Sequence, residues 1–288
     1  MTTLGTRPPE TTPPAPPPTG AAPSPSPLRR VGPWLLNGYA GAVVFILFLP
    51  ILVIILFSFN DPVGKFNFVW KGFSLEAWQD PFKYEPLVDA MIVSLEVAAV
   101  STVISAVLGT LIAVALVRYR FTGSGATNTF LVLPLTTPEV VMGASLLTLF
   151  LDLNWATGFW TIVIAHAMFQ ISFVALTVKA RVRGFDWSLE DAAMDLGATP
   201  LRTFLRVTFP LILPGVVAAA MLSFALSMDD FIITLFNSGN EVTYPLFVNN
   251  AAKTALPPQI NVMATLIMLA SLVVIGLSQI YTRWRTRG

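Results

Sequence analysis

Residues 188–210 read SLEDAAMDLGATPLRTFLRVTFP, the longest stretch of helical character in the chain that does not look embedded in lipid. Ser188 and Asp191 have the spacing of a capping box, and acidic residues in a first turn suit the positive end of a helix dipole. Apolar residues recur at positions 189, 192, 193 and 196, which places them on one helix face. The pattern predicts a short amphipathic helix capped by Ser188.

A glycine and a proline then mark a second helix. Gly197 lies where helices often end in a left-handed residue, and Thr199-Pro200 has the pattern of an N-cap followed by proline at the first helical position. The leucines and the phenylalanine of the next turns form a second apolar face. Two short helices cannot bury both faces by themselves, so they either dock another protein or lie on a lipid surface.

The composition is that of an integral membrane protein. Of the 288 residues, 55% are hydrophobic and 11% are charged, whereas soluble domains average about 25% charged residues. A net charge of +1 does not indicate nucleic-acid binding. The absence of cysteine excludes disulfides, thiol nucleophiles and cysteine-based metal sites. We predict no metal site and no catalytic residue in the chain.

Six apolar runs approach the ~20 residues that a membrane span requires, so we predict an all-α fold of six transmembrane helices. The runs cover about residues 35–58, 89–117, 129–151, 158–178, 211–237 and 261–281. Residues 1–33 hold 11 of the 23 prolines, and such a segment cannot bury enough apolar area to fold. The chain is therefore predicted to divide into a disordered proline-rich cytoplasmic tail, 1–33, and a transmembrane domain, 34–288.

Lysine and arginine are distributed unevenly between the two sides of these spans. One set of segments, which includes both termini and residues 179–210, carries 13 of them, and the opposite set carries 4. Because positively charged loops stay in the cytoplasm, we predict that both termini and the 188–210 stretch are cytoplasmic.

The chain lacks the Gly-x-x-x-x-Gly-Lys-Ser/Thr loop that binds nucleotide phosphates. Its one Gly-Lys pair, Gly64-Lys65, is followed by Phe66 and lies on the side opposite the termini. If ATP drives this protein, another chain hydrolyses it.

Ionisable residues inside membrane spans are energetically unfavourable and are therefore functional candidates. Glu96, His166 and Asp229, with Asp230 beside it, lie about eight residues, or roughly 12 Å, from the outer ends of their spans. They form one net acidic layer that would suit a cationic solute; alternatively, an aspartate bonds a neighbouring helix or caps a broken one, and His166 is a packed residue. The candidate substrate-pathway residues are Asp229, Asp230, Glu96, Phe231, His166 and Trp160, of which the two aromatics either offer cation–π faces or only pack.

The 188–210 stretch resembles the coupling-loop motif of ABC importer permeases. That motif reads Glu-Ala-Ala, three residues, Gly, nine residues, Ile, any residue, Leu-Pro. Here Asp191-Ala192-Ala193 is followed at the same spacing by Gly197 and Val207-Thr208-Phe209-Pro210. Three departures (Asp for Glu, Val for Ile, Phe for Leu) keep charge or apolar character, and Glu190 supplies the acid if the register shifts by one.

This resemblance, which extends over about residues 75–282, implies the type I importer permease fold, with a cytoplasmic coupling helix between helices four and five in the coupling loop 179–210. It implies a non-catalytic permease subunit whose partners are a second homologous permease, two ATPase subunits docked at 188–210 and an extracytoplasmic substrate-binding protein. No cofactor is expected in this chain, since ATP and Mg bind the ATPase. The residues implied in ATPase coupling are Glu190, Asp191, Ala192, Ala193, Leu196, Gly197 and Pro200.

A second resemblance concerns the solute. Residues 227–231, Ser-Met-Asp-Asp-Phe, with Asn-Ser-Gly at 237–239, are similar to the fifth-span signature of spermidine/putrescine permeases, and the runs 158–166 and 258–266 are similar too. Val93 departs from the asparagine that related chains often carry before Ser94-Leu95. The resemblance implies polyamine import across a bacterial inner membrane. Related permeases for ferric iron, cationic amino-acid derivatives or phosphonates share parts of the pattern, although an acidic layer would repel an anion.

Two other classes stay open as alternatives. Gly143-Ala144-Ser145-Leu146 with His166 loosely imitates an intramembrane serine protease, but the second glycine of that motif is missing and Ser145 has no visible activator. A passive channel would leave the coupling motif without a role.

Overall fold

A computed structural model describes residues 27–119 and 121–285, with side chains described at 35–119, 121–273 and 276. Within this part the regular secondary structure is helical, with two isolated β-bridges and no strand. The described residues up to Leu52 form one compact unit, and the described residues from Val53 onward form a second.

The helices are α1 (Pro27–Phe57), α2 (Glu76–Gln79), α3 (Glu85–Arg118), α4 (Ser124–Thr136), α5 (Glu139–Asp152), α6 (Phe159–Val182), α7 (Ser188–Asp195), α8 (Pro200–Thr203), α9 (Phe209–Asp229), α10 (Ile232–Asn237), α11 (Tyr244–Thr254) and α12 (Pro258–Arg285). A π-helical turn, Phe204–Thr208, joins α8 to α9. Helix α1 begins inside the segment assigned to the proline-rich tail, and the rest of that tail, 1–26, lies outside the described residues.

Four helical stretches are long and apolar enough to cross a membrane: Leu35–Phe57 within α1, then α3, α6, and the run Pro200–Asp229. Helices α4 and α5 make a fifth if the pair, bent by 107°, counts as one span. The described apolar part of α12 covers Pro258–Val273. The number of six spans and the orientation of the termini stay predictions.

Two of the predicted spans are each interrupted by a short stretch of non-helical backbone. The run 129–151 breaks at Thr137, whose backbone is extended at φ −78° and ψ 130°, because the ring of Pro138 disfavours helical geometry in the residue before it. The run 211–237 breaks at Asp230, where φ is −65° and ψ is 120°. Apolar periodicity alone does not reveal such breaks, since both flanks of each break are apolar.

Helices α3, α6 and α9 pack together in the second unit. Helix α6 is the most buried of the four long helices, and an apolar cluster that includes Ala113, Val174 and Ile212 joins one helix to the next. Gly109 of α3 permits a close approach, because a Cβ at this position would lie 2.7 Å from the Cβ of Val174. This three-helix frame supports both of the sites described below.

The segment between α1 and α3 is folded rather than extended. The Asn60 side chain donates to Asn67 Oδ1 at 2.6 Å and accepts from the Lys71 backbone at 2.8 Å. The Phe59 ring stacks on the rings of Phe73 and Trp78, with centroids 5.7 and 5.2 Å away. Side-chain hydrogen bonds and aromatic contacts thus hold the longest inter-span loop in one shape.

Candidate functional site

The start of the predicted amphipathic helix is close to the expected place, but its cap differs. Helix α7 begins at Ser188 after Trp187, and no side-chain cap bond forms from Trp187. Instead, the Ser188 backbone N–H donates to Asp186 Oδ1 at 3.1 Å. Hydrogen bonds from the Ser188 side chain and backbone hold the pKa of the Asp186 carboxyl below its usual value. The predicted capping box of Ser188 with Asp191 is therefore wrong, since Ser188 already lies inside the helix.

The division into two helices agrees with the sequence prediction. Gly197 has a left-handed backbone with φ +86°. Residues other than glycine adopt this conformation only with strain. The Thr199 hydroxyl accepts from the Arg202 backbone N–H at 3.4 Å, with Pro200 at the first helical position. Local turn chemistry thus decides where α7 ends and α8 begins.

The acidic residue that packs inside this region is Glu190. Its side chain is 1% exposed, forms an ion pair with Arg118 and accepts a hydrogen bond from the Thr208 hydroxyl. Asp191, which aligns with the acid of the family motif, is exposed. The sequence did not predict either partner: Arg118 is far from Glu190 along the chain, and Thr208 stands at the motif position that accepts any residue.

Helices α7 and α8 and the π-helical turn after them carry an exposed apolar surface, which we call the docking surface after the role proposed for it below. It is formed by Leu189, Leu196, Leu201 and Leu205, of which Leu196 is 90% exposed. A depression of about 280 Å³ beside Leu196 is lined by Ala193, Gly197 and Arg202, among others. Of the seven residues predicted for ATPase coupling, Glu190 is buried and the other six lie wholly or partly at the surface.

A second site lies where the two broken helices meet. A cavity of about 340 Å³ is lined by the break between α4 and α5 and by the break between α9 and α10. Three carboxylates contribute to its wall: Glu139, Asp229 and Asp230. Lysine and arginine are absent from its described lining, so the cavity is acidic.

Glu139 is a residue that sequence reasoning missed. It lies within the predicted third span, 129–151, yet it was not counted among the ionisable residues of the spans. The available signal was its position directly after Pro138, since a proline inside an apolar run marks a place where a helix can break. In the structure Glu139 is the first residue of α5.

His166 is buried and fully hydrogen-bonded. Its side chain is 1% exposed. Nδ1 lies 2.7 Å from the Ser227 hydroxyl, and Nε2 lies 3.1 Å from Asp230 Oδ2 and 2.9 Å from the Thr234 hydroxyl. The alternative interpretation of His166 as a packed residue is therefore the one that the structure favours.

Asp230 lies just before the short helix that follows the break and accepts hydrogen bonds from its first turn. Its Oδ2 accepts from the Thr234 backbone N–H at 2.8 Å and from the Thr234 hydroxyl at 2.8 Å, in addition to the His166 contact. Asp229, by contrast, is exposed. The two adjacent aspartates thus have different surroundings: Asp230 is tied into the protein, and Asp229 is free to face the cavity.

The hydrogen-bond partners of His166 also bear on the protease alternative. Its partners are Ser227, Asp230 and Thr234, whereas Ser145 is an exposed residue of α5. Ser227 is itself buried and lies 3.4 Å from the Ser101 hydroxyl. The contacts join α6 to α9 and α10 and leave Ser145 without the base that the alternative requires.

Comparison with known proteins identifies the family. Residues 105–287 match the family described as "Binding-protein-dependent transport system inner membrane component". The chain belongs to this family. It is 36% identical over 253 residues to the spermidine/putrescine transport system permease protein PotC of Haemophilus influenzae, a match that covers 87% of this chain and 97% of the relative. It is 39% identical over 231 residues to the putrescine transport system permease protein PotI of Escherichia coli, covering 77% and 81%.

Two solved structures share the fold. One is a bacterial ABC transporter involved in the import of the acidic polysaccharide alginate, with a TM-score of 0.67, 16% identity, and coverage of 90% of this chain and 99% of that chain. The other is an amino acid ABC transporter with histidines, with a TM-score of 0.54, 18% identity, and coverage of 71% and 97%. The chain is a multi-pass inner-membrane permease, a transport component rather than an enzyme.

In this permease, the structure brings together part of the predicted acidic layer. Asp229, Asp230 and Phe231 line the acidic cavity, and His166 contacts it through Asp230. Glu96 is exposed on α3, and Trp160 is 59% exposed in the first turn of α6; neither lines this cavity. Equal depth along the spans was a poor guide here, because depth does not say which face of a helix a residue occupies.

Proposed function

We propose that this permease is the transmembrane subunit of an ATP-driven ABC importer that moves polyamines, spermidine or putrescine, into the cytoplasm. The observation that carries the substrate class is the acidic cavity between the broken helices. Its carboxylates suit a solute with two or three amine charges, and Phe231 offers a cation–π face. The names of the PotC and PotI relatives support the same class.

We propose that the docking surface binds an ATPase subunit from the cytoplasm, one on this chain and one on a second homologous permease. ATP and Mg would bind the two ATPase subunits, and no cofactor is proposed in this chain. Closure of the ATPase pair would carry the two α7 helices together and rock the permeases from inward- to outward-facing. An extracytoplasmic binding protein would deliver the polyamine.

The alternative is that a permease of the same architecture imports a different solute. Ferric iron and cationic amino-acid derivatives are compatible with an acidic cavity, whereas a phosphonate would be repelled by it. The test measures uptake of labelled spermidine in the presence of unlabelled putrescine, arginine or ferric iron, which distinguishes these solutes. Competition by putrescine alone supports the proposal, and competition by arginine or iron alone contradicts it.

The first test of the transport proposal is copurification. The chain is expressed with its neighbouring genes and purified by its tag, as the parent and as Gly197→Val and Ala193→Trp variants. We expect the parent to retain an ATPase and both variants to lose it, because one strains the left-handed turn and the other blocks the depression beside it. Gly184→Ala, a loop change with no close contact, is the matched control.

Two results of the copurification would contradict the coupling proposal. If the parent copurifies with no ATPase, or if all three variants behave like the parent, α7 and α8 form a surface helix pair and the coupling proposal fails. Gly197→Asn adds a graded check, since asparagine tolerates the left-handed region better than valine. It should retain more ATPase than Gly197→Val.

A further inference from the structure

A buried carboxylate of α7 forms an ion pair with a partly exposed arginine. Glu190 is 1% exposed and contacts both Arg118 and Thr208 through its carboxylate. Glu190 belongs to α7, Arg118 is the last residue of α3, and Thr208 directly precedes α9. Residues from α3, from α7 and from the turn before α9 therefore meet at one side chain.

The surroundings of this contact are apolar. Val117, Trp187 and Phe204, each within about one helical turn of one of the three polar residues, pack against the apolar cluster of α3, α6 and α9. The Arg118 guanidinium also lies 5.5 Å from the centroid of the Trp187 ring. The Glu190 charge is thus shielded from water, whereas the Arg118 side chain is 28% exposed and reaches the pair from the edge.

Stability alone is a weak explanation for such a pair. Moving two charges out of water offsets most of their attraction, so apolar side chains of similar size stabilise a protein about as well. Removing Arg118, however, leaves the buried Glu190 charge unpaired. A contact of this kind is better explained by the geometry it imposes, because it specifies one orientation of α7 relative to α3 and α9.

We infer that Arg118, Glu190 and Thr208 are positioning residues that transmit the movement of α7 to α3 and α9. The inference rests on the proposed function, since it requires an ATPase docked on α7. Within α7, Leu189 is exposed and belongs to the docking surface, whereas the neighbouring Glu190 is buried. Docking and transmission therefore use different faces of one helix, and a change on the inner face disrupts transmission while it leaves docking intact.

The test uses the assembled transporter in proteoliposomes, with the ATPase, the second permease and the binding protein present and spermidine as the probe. The quantity measured is spermidine taken up per ATP hydrolysed. Glu190→Gln and Thr208→Val are expected to retain the ATPase and to lower this ratio by about tenfold, within the usual range of coupling between two sites. Thr208→Ser keeps the hydroxyl and is expected to restore the parental ratio.

Asp195→Asn is the matched control, because it removes an exposed carboxylate from the same helix. It is expected to leave both the ATPase content and the ratio unchanged. A purely structural role for Glu190 would lower uptake and ATP hydrolysis together, so an unchanged ratio in Glu190→Gln and Thr208→Val overturns the inference.

A double variant addresses misfolding. If Glu190→Gln does not assemble, Arg118→Met combined with Glu190→Met leaves no buried charge unpaired and is measured in its place. A lowered ratio supports the inference, whereas a parental ratio, or failure of every variant to assemble, overturns it. If the parent itself binds no ATPase, the proposed function fails, and that result is distinct from a parental ratio in the variants.

Discussion

At the scale of single residues, the two adjacent aspartates at the α9–α10 break differ in role. Asp230 accepts hydrogen bonds from Thr234 and contacts His166, and its side chain is 5% exposed. Asp229 is exposed and lines the acidic cavity. We therefore expect Asp230 to contribute to stability and Asp229 to contribute to the proposed solute pathway.

We predict that Asp230→Ala destabilises the permease by about 1–3 kcal/mol, because the Thr234 N–H loses its acceptor and His166 loses a partner in a buried site. The measurement is thermal unfolding of the purified protein in detergent, seen as a lower Tm. Asp230→Asn keeps an oxygen acceptor and should lose less. Asp229→Asn should melt like the parent but raise the KM for spermidine uptake.

Each of the two variants tests a separate claim. A normal Tm for Asp230→Ala would show that its contacts with Thr234 and His166 add no stability. A normal KM for Asp229→Asn would remove this carboxylate from the proposed pathway.

At the scale of helices, the close packing of α3 against α6 depends on one glycine. A Cβ at Gly109 would lie 2.7 Å from the Cβ and Cγ1 of Val174 and 3.0 Å from the Ala175 backbone nitrogen. Both contacts are with α6, one with a branched side chain and one with the backbone, so there is little room for relaxation. The interface therefore requires a residue without a side chain at this position.

We predict that Gly109→Ala destabilises the permease by about 1–3 kcal/mol through overpacking, despite the better helix propensity of alanine. The Tm in detergent measures the effect. Gly125→Ala is the control, since a Cβ there meets nothing within 4 Å. Val174→Ala in the Gly109→Ala chain should restore part of the loss; equal Tm values for Gly109→Ala and Gly125→Ala would contradict the prediction.

At the scale of the whole molecule, the orientation in the membrane can be measured directly because the chain has no cysteine. We predict that a membrane-impermeant maleimide labels Val63→Cys in intact cells. Thr122→Cys should react only after the membrane is permeabilised. Both positions are exposed, so accessibility within the protein does not differ between them. The unmodified chain is the blank, and the reverse labelling pattern would invert the proposed orientation.

Features that depend on residues close together in the chain could be predicted from the sequence. The apolar runs indicate membrane helices, and the left-handed Gly197 and the Thr199-Pro200 cap divide α7 from α8 as expected. These outcomes follow from hydrophobicity and turn chemistry, both of which are local. The family motif added the coupling role, which awaits its test.

Contacts between distant residues were decided only by the tertiary structure. The ion pair of Glu190 with Arg118, the shared cavity of Glu139 and Asp229, and the bonds of His166 to Asp230 each join separate helices. Depth along the spans placed Asp229, His166 and Glu96 in one predicted layer. In the structure, Glu96 does not line the cavity that Asp229 lines. The physical reason is that a helix sequence specifies which residues share a face, whereas the rotation of that face toward a neighbour is set by packing, as at Gly109 and Val174.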